Sequence, residues 1–190
     1  MTEVSEQTLL EVLTSDHAAI MDLLEQVDGH RVAEASRREQ LVIQTVRHLV
    51  AEEQHLWPLV RRQLPHGAEL SDSAFAAHRA IEDSLRGLEN PHADREFLAV
   101  ALATVRRQLL EHVTEQQEQL FPHLAAQVDR AELLRLSDEA VGAEQLAPTR
   151  PRTVAPENPA LNKVSSLVEG FIDQVRDSYG HRGVATDEIE

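Results

Sequence analysis

Apolar positions recur every three to four residues along most of this chain, which predicts helices throughout. Leu9, Leu10, Leu13, His17, Ile20, Leu23, Leu24 and Val27 place a first helix over residues 8–28, with Asp28-Gly29 as its stop. A second stripe runs through Leu41, Val42, Thr45, His48, Leu49, Glu52 and Leu56 and predicts a helix from Glu34 to Leu64. Pro58 lies inside it and predicts a kink, and Pro65-His66-Gly67 ends it. Ser71 or Asp72 is the expected cap of a third helix reaching Leu88. Asn90-Pro91 is the expected start of a fourth, which reaches Gln127 past a late Pro122. A short amphipathic helix is expected over 130–144. Four prolines between Ala147 and Pro159 then predict an extended linker or a strap over the surface. Residues 161–179 carry a weaker amphipathic pattern that could dock on the bundle, on a partner or on nothing.

The stripes are not purely apolar, and their polar members repeat. His48-Leu-Val-Ala-Glu52-Glu53-Gln-His-Leu56-Trp57-Pro58 returns as His112-Val-Thr-Glu-Gln116-Gln117-Glu-Gln-Leu120-Phe121-Pro122. Asp16-His17-Ala-Ala-Ile20 likewise matches Ala77-His78-Arg-Ala-Ile81. Each half therefore reads as an αα-hairpin with one His on its first helix and a His plus an acid or amide on its second. Short turns make sequential helices antiparallel neighbours. The expected fold is all-α: an up-down-up-down four-helix bundle with a C-terminal helical or extended tail. The expected domains are a bundle with its short following helix over 1–145, and a Pro-rich linker with an amphipathic tail over 146–190.

At about 100° per residue, Glu52 lies ~40° from His48 and His55 ~20° to its other side, so the three share one face. Helix four presents His112, Gln116 and Gln119; helix three presents His78 and Glu82. Helix one presents His17 alone, because Met21 stands where Glu82 does in the other half. Taken singly, an interior His is most often a satisfied core residue, and an i,i+4 His-Glu pair an ordinary exposed one. Their coincidence on four helices points instead to a cation, since burying unpaired carboxylates costs several kcal/mol or forces their neutralisation. Imidazole and carboxylate suit iron, with manganese and zinc as alternatives. Six or seven ligands suit two carboxylate-bridged ions with one position open to a small molecule. Trp57 and Phe121 are expected to plug the core, and His30, His66, His92, His123 and His181 to lie at the surface.

Composition removes whole classes of function. The 190 residues carry a formal net charge of −15, which repels phosphate backbones and argues against nucleic acid. Arg61-Arg62 and Arg106-Arg107 are too short to make a basic patch. There is no cysteine, hence neither a disulfide nor a thiolate ligand. The N-terminus lacks an apolar secretory core, and no run approaches the ~20 apolar residues of a membrane span. A soluble, cytoplasmic protein, monomeric or weakly homo-oligomeric, is expected.

At these residues the chain resembles the hemerythrin superfamily, in the bacterial branch named for its His-His-Glu cation-binding motif. The resemblance rests on Asp16-His17, His48-x3-Glu52-Glu53-x2-Leu-Trp-Pro, His78-x3-Glu82, and His112 with Leu120-Phe121-Pro122. It spans residue 8 to about 128, and the tail motifs Ala147-Pro-Thr-Arg-Pro151 and Pro159-Ala-Leu-Asn-Lys163 resemble actinobacterial members. The resemblance implies a non-haem di-iron centre with His17, His48, His78 and His112 as ligands and Glu52 as a bridge. Glu82 would replace a histidine of the oxygen-carrying members, which should weaken reversible oxygen carriage. The family's second bridging acid would fall four or five residues past His112, where this chain has Gln116 and Gln117. Glu115 lies about 60° off that face and is the expected partial substitute. The alternatives are an asymmetric, weakly loaded or mononuclear centre. His55 is expected as an extra ligand or as an acid–base group near bound oxygen or peroxide. The implied function is binding of O2, NO or peroxide for sensing or for oxidative or nitrosative protection. Catalase-like peroxide disproportionation, another di-iron oxidation and iron handling are the competing readings.

Overall fold

The structure is a computed structural model that describes residues 7–27 and 33–152. These are folded into the four-helix bundle the sequence predicts. The first rod is α1 (Leu9–Gln26). The second is α2 (Ala33–Ala51), continued through a wide turn at Glu52–Leu56 into α3 (Trp57–Gln63). The third is α4 (Gly67–Leu88). The fourth is α5 (Arg95–Glu115), continued through a second wide turn at Gln116–Leu120 into α6 (Phe121–Gln127). A further helix, α7 (Arg130–Leu146), packs on α1, α2 and the first wide turn. No helix among the described residues is long and apolar enough to cross a membrane. The expectations for residues 1–6, 28–32 and 153–190, including the Gly29 stop, His30, His181 and the amphipathic tail, lie outside the described residues.

Local chemistry explains where the rods begin. Thr8 and Glu11 form a capping box: Glu11 N–H donates to Thr8 Oγ1 at 3.3 Å, and Thr8 N–H donates to Glu11 Oε2 at 2.7 Å. The third rod starts at Gly67, four residues before the expected Ser71. His66 takes the left-handed conformation (φ 57°) and turns the chain directly into α4. A Cβ on Gly67 would stand 2.2 Å from Val60 O, so only glycine fits this turn. Ser71 is then interior to the helix, its hydroxyl donating to Gly67 O and Trp57 O. The fourth rod starts later than expected. Asn90-Pro91 forms a turn in which Asn90 Oδ1 accepts from His92 N–H, and Asp94 is the true cap, accepting from Phe97 N–H at 2.8 Å.

The two prolines act alike. Proline supplies no N–H, and its ring would strike the carbonyl four residues back in a regular helix. Here each is preceded by one widened turn: Trp57 N–H bonds back five residues to Glu52 O, and Phe121 N–H to Gln116 O. Such π-turns insert an extra residue into the helical register and rotate all that follows.

The core lies in two apolar clusters. One gathers Leu13, Leu56, Trp57, Leu59, Phe75, Phe121 and Leu124, with Leu133 and Leu136 of α7. The other gathers Ile20, Leu24, Leu41, Val46, Leu49, Ile81, Leu85 and Leu109. Each fully buried Leu contributes roughly 1.5–3 kcal/mol. Between the clusters every rod carries buried polar residues: His17, then His48, Glu52 and Glu53, then His78 and Glu82, then His112 and Gln116.

Candidate metal centre

The polar layer is centred on Glu52, which is fully buried. Its Oε1 lies 3.0 Å from His48 Nε2, 3.5 Å from His112 Nε2 and 3.7 Å from His17 Nε2. His48 Nε2 and His112 Nε2 are 3.4 Å apart. Donor atoms of His17, His48, Glu52 and His112 all fall within 4.8 Å of one another. Glu52 Oε2 faces the other way, 3.1 Å from His78 Nε2, and accepts from the Gln116 amide at 2.9 Å. Yet His17 Nε2, Glu52 Oε1 and His78 Nε2 have no aligned hydrogen-bond partner. Buried polar atoms are rarely left so, because an unmade bond costs about 1–3 kcal/mol. Converging imidazole and carboxylate atoms that do not satisfy each other are the donor set a cation requires.

Outer nitrogens are held from behind. Glu53 Oε1 lies 3.0 Å from His78 Nδ1, Asp16 Oδ2 is 3.6 Å from His48 Nδ1, and the Gln117 amide lies 3.2 Å from His17 Nδ1. The Glu53 and Gln117 contacts fix the ring orientation of His78 and His17, and Asp16 acts on His48 as a nearby charge without a hydrogen bond; Nε2 is the inward atom on each of these rings. Asp16 is joined by Glu144 of α7 in a second, half-buried group that shares His48.

Electrostatics divide the imidazoles into two kinds. Burial opposes protonation of His48, but Glu52 and Asp16 outweigh it and push its pKa up to about 10. His78 follows the same logic: burial is overcome by Glu52 and Glu53, to about 9. His17 is dominated by burial and pulled down to about 4, and burial also lowers His112. Burial would raise Glu52, but the imidazoles hold its carboxyl well below the usual range. Burial and the Asp16 carboxylate push Glu144 up to about 8. The Glu52 carboxylate thus lies between two imidazoles whose charged form is favoured, His48 and His78, while burial disfavours charge on His17 and His112.

Beyond His78 the layer is closed by a residue from outside the bundle proper. Ala147, Thr149 and Arg152 are buried, so the segment after α7 straps the bundle, one of the two possibilities its prolines left open. Arg152 donates to Glu53 Oε2 at 2.8 Å and Oε1 at 3.0 Å, and through Nε to Glu82 Oε1 at 2.8 Å. Its backbone N–H donates to Glu82 Oε2 at 2.9 Å, and its carbonyl accepts from Arg86 at 2.7 Å. Burial raises Glu82, opposed by the guanidinium; burial would raise Glu53 too, but His78 and Arg152 hold it low.

The structure thus brings His17, His48, Glu52, His112 and Gln116 together, with His78 against the far oxygen of Glu52. Glu82 is buried but its carboxylate is directed to Arg152. Glu115 is exposed at the end of α5, and Gln116 takes the inward position. His55 is buried toward α7, 3.5 Å from Glu139, and is not part of the imidazole cluster. The widened turn explains both this and Glu53, which a regular 100° wheel leaves off the inner face. Arg152 carried no signal in the periodicity, although the surplus of buried acid implied some cation. His66, His92 and His123 are at the surface, and Trp57 and Phe121 are core residues, as expected.

A cavity of about 750 Å³ opens between α4 and α5 and reaches His112 and Gln116, with Trp57, Ile81 and Leu120 among its apolar walls. A helical bundle whose centre is a buried His/Glu layer, reached by an open cavity, defines a cation-binding class of protein. The chain belongs to the hemerythrin HHE cation-binding domain family, whose domain it matches over residues 8–124. No curated protein and no solved structure matches the chain at a significant level.

Proposed function

We propose that this is a non-haem iron protein that captures a small ligand (O2, NO or peroxide) for sensing or for oxidative or nitrosative protection. The supporting observation is the convergence of three imidazole Nε2 atoms on one unsatisfied carboxylate oxygen. His17, His48, His112 and Glu52 would hold the metal. Iron, when bound, supplies an open coordination position and redox chemistry; manganese or zinc would suit the same donors without that redox range.

The chain's own residues do the rest. The cavity beside His112 is wide enough to admit a small ligand to the centre. The Gln116 amide, donating to Glu52 Oε2, leaves Oε1 as the free oxygen. The Gln117 amide nitrogen lies 3.2 Å from His17 Nδ1, behind the ring, and holds the imidazole in its inward orientation. A catalase-like reaction through His55 gains no support, because His55 faces Glu139 and does not line this cavity.

The test is reconstitution with ferrous iron without oxygen, followed by addition of O2, NO or hydrogen peroxide while the ultraviolet-visible spectrum is recorded. A new absorption band with at least one ligand is expected. Iron that binds yet answers none of the three would overturn the proposal, and steady peroxide turnover would favour the enzyme.

A further inference from the structure

The polar layer contains three buried carboxylates, Glu52, Glu53 and Glu82. They are satisfied in two different ways. Around Glu52 Oε1 the donors face one another and leave His17 Nε2 and Oε1 itself without hydrogen bonds. Around Glu53 and Glu82 nothing comparable is left over. Both oxygens of Glu53 and both of Glu82 are engaged by Arg152, through its guanidinium and its backbone N–H. His78 closes the arrangement through its bond to Glu53. His78 Nε2 is the one nitrogen of this half without a hydrogen bond, and a lone nitrogen is not a site. Glu52 Oε2 is already committed to the Gln116 amide.

We propose that the guanidinium of Arg152 stands in for a second metal ion and sets the capacity of the bundle at one, held by His17, His48, Glu52 and His112. The inference rests on the metal-binding function proposed above. A guanidinium suits the task. It is planar, permanently charged, and can engage two carboxylates at once. Glu53 and Glu82 are the acids that would have to turn toward His78 to complete a second site. Each is held back by contacts that a metal would have to break. The residue that does this lies beyond the family match at 8–124. It is anchored from two sides, by Arg86 on its carbonyl and by the Arg150–Glu89 pair, 3.8 Å apart, just before it.

The experiment uses the full-length protein, stripped of metal, then saturated with ferrous iron under argon and desalted for elemental analysis. A parallel sample is loaded with Mn(II) and read by electron paramagnetic resonance. Wild type is expected to retain one ion per chain and to give the spectrum of an isolated Mn(II). The Arg152→Met variant is expected to retain two and to show a spin-coupled pair. Should Arg152→Met fail to fold, Arg152→Lys keeps a cation in place and is expected to retain one. Two ions in wild type or in Arg152→Lys would overturn the proposal, as would one ion in a folded Arg152→Met. No ion in any of the proteins would instead remove the metal-binding function on which the proposal stands.

Discussion

Two groups of buried charge share one carboxylate in this bundle, and they are finished differently. On the Oε1 side of Glu52, three imidazoles approach to 3.0–3.7 Å without satisfying the oxygen between them. On the far side, Glu53, Glu82, His78 and Arg152 form a closed set of charged hydrogen bonds. Both groups are out of water and both contain acids that burial would neutralise. An internal partner settles both acids of the second group and leaves only His78 Nε2 over. The first is incomplete within the chain, and incompleteness inside a well-packed core is where a cation is to be sought.

The sharpest way to break this contrast is Glu52→Gln. It removes the charge that the three imidazoles surround, and retained metal should fall by more than about 100-fold in affinity, since even outer-shell partners are worth 10–100-fold. Undiminished metal content by elemental analysis would mean that the cluster is not the site.

Arg152→Met probes the other group. It strands two buried carboxylates, and removing one partner of such a set costs about 3–5 kcal/mol. Urea unfolding of metal-stripped protein should show that loss, whereas a change below about 1 kcal/mol would show that the acids were never dependent on the guanidinium.

A pH series separates the groups by their protons. His48 stands at about 10 in the folded, metal-free protein against 6.5 unfolded, and His78 at about 9. Their contribution to stability is therefore complete below pH 6.5 and lost as pH rises through about 9 to 10. Metal requires neutral His48, so affinity should rise about tenfold per pH unit from 6.5 upward, with about one proton released per ion. Calorimetry in buffers of different ionisation enthalpy counts that proton; release of two would draw His78 into the site.

The smallest effect is expected at Glu115→Ala. That side chain is exposed on the cavity wall and outside the imidazole cluster, and the substitution should leave metal content unchanged and stability within about 0.5 kcal/mol. A clear loss of metal would return Glu115 to the role the sequence suggested for it.

Much of this was legible beforehand, and the misses have physical causes. The rods, the buried faces of His17, His48, His78 and His112, and the placement of Glu52 follow from period and duplication alone. The wheel failed just before Pro58, because a proline relieved by a widened turn changes the angle per residue. Glu53 came inside there, and His55 swung to α7. At Asn90-Pro91 two helix-start signals stood four residues ahead of Asp94, and the turn took them. Arg152 could not be read from any local pattern, since it meets Glu82 across 70 residues of chain. The excess of buried acid did foretell a cation, but a sequence does not say whether a carboxylate will find its counter-charge in metal or in arginine.

The same separation has a consequence for the order of events during synthesis. The ribosome makes residues 8–127 in full before Arg152 exists. Until it arrives, Glu53 and Glu82 have no guanidinium, so the nascent helices must keep their centre wet or leave it loosely assembled. The last described turn of the chain is thus the one that lets the middle of the protein go dry.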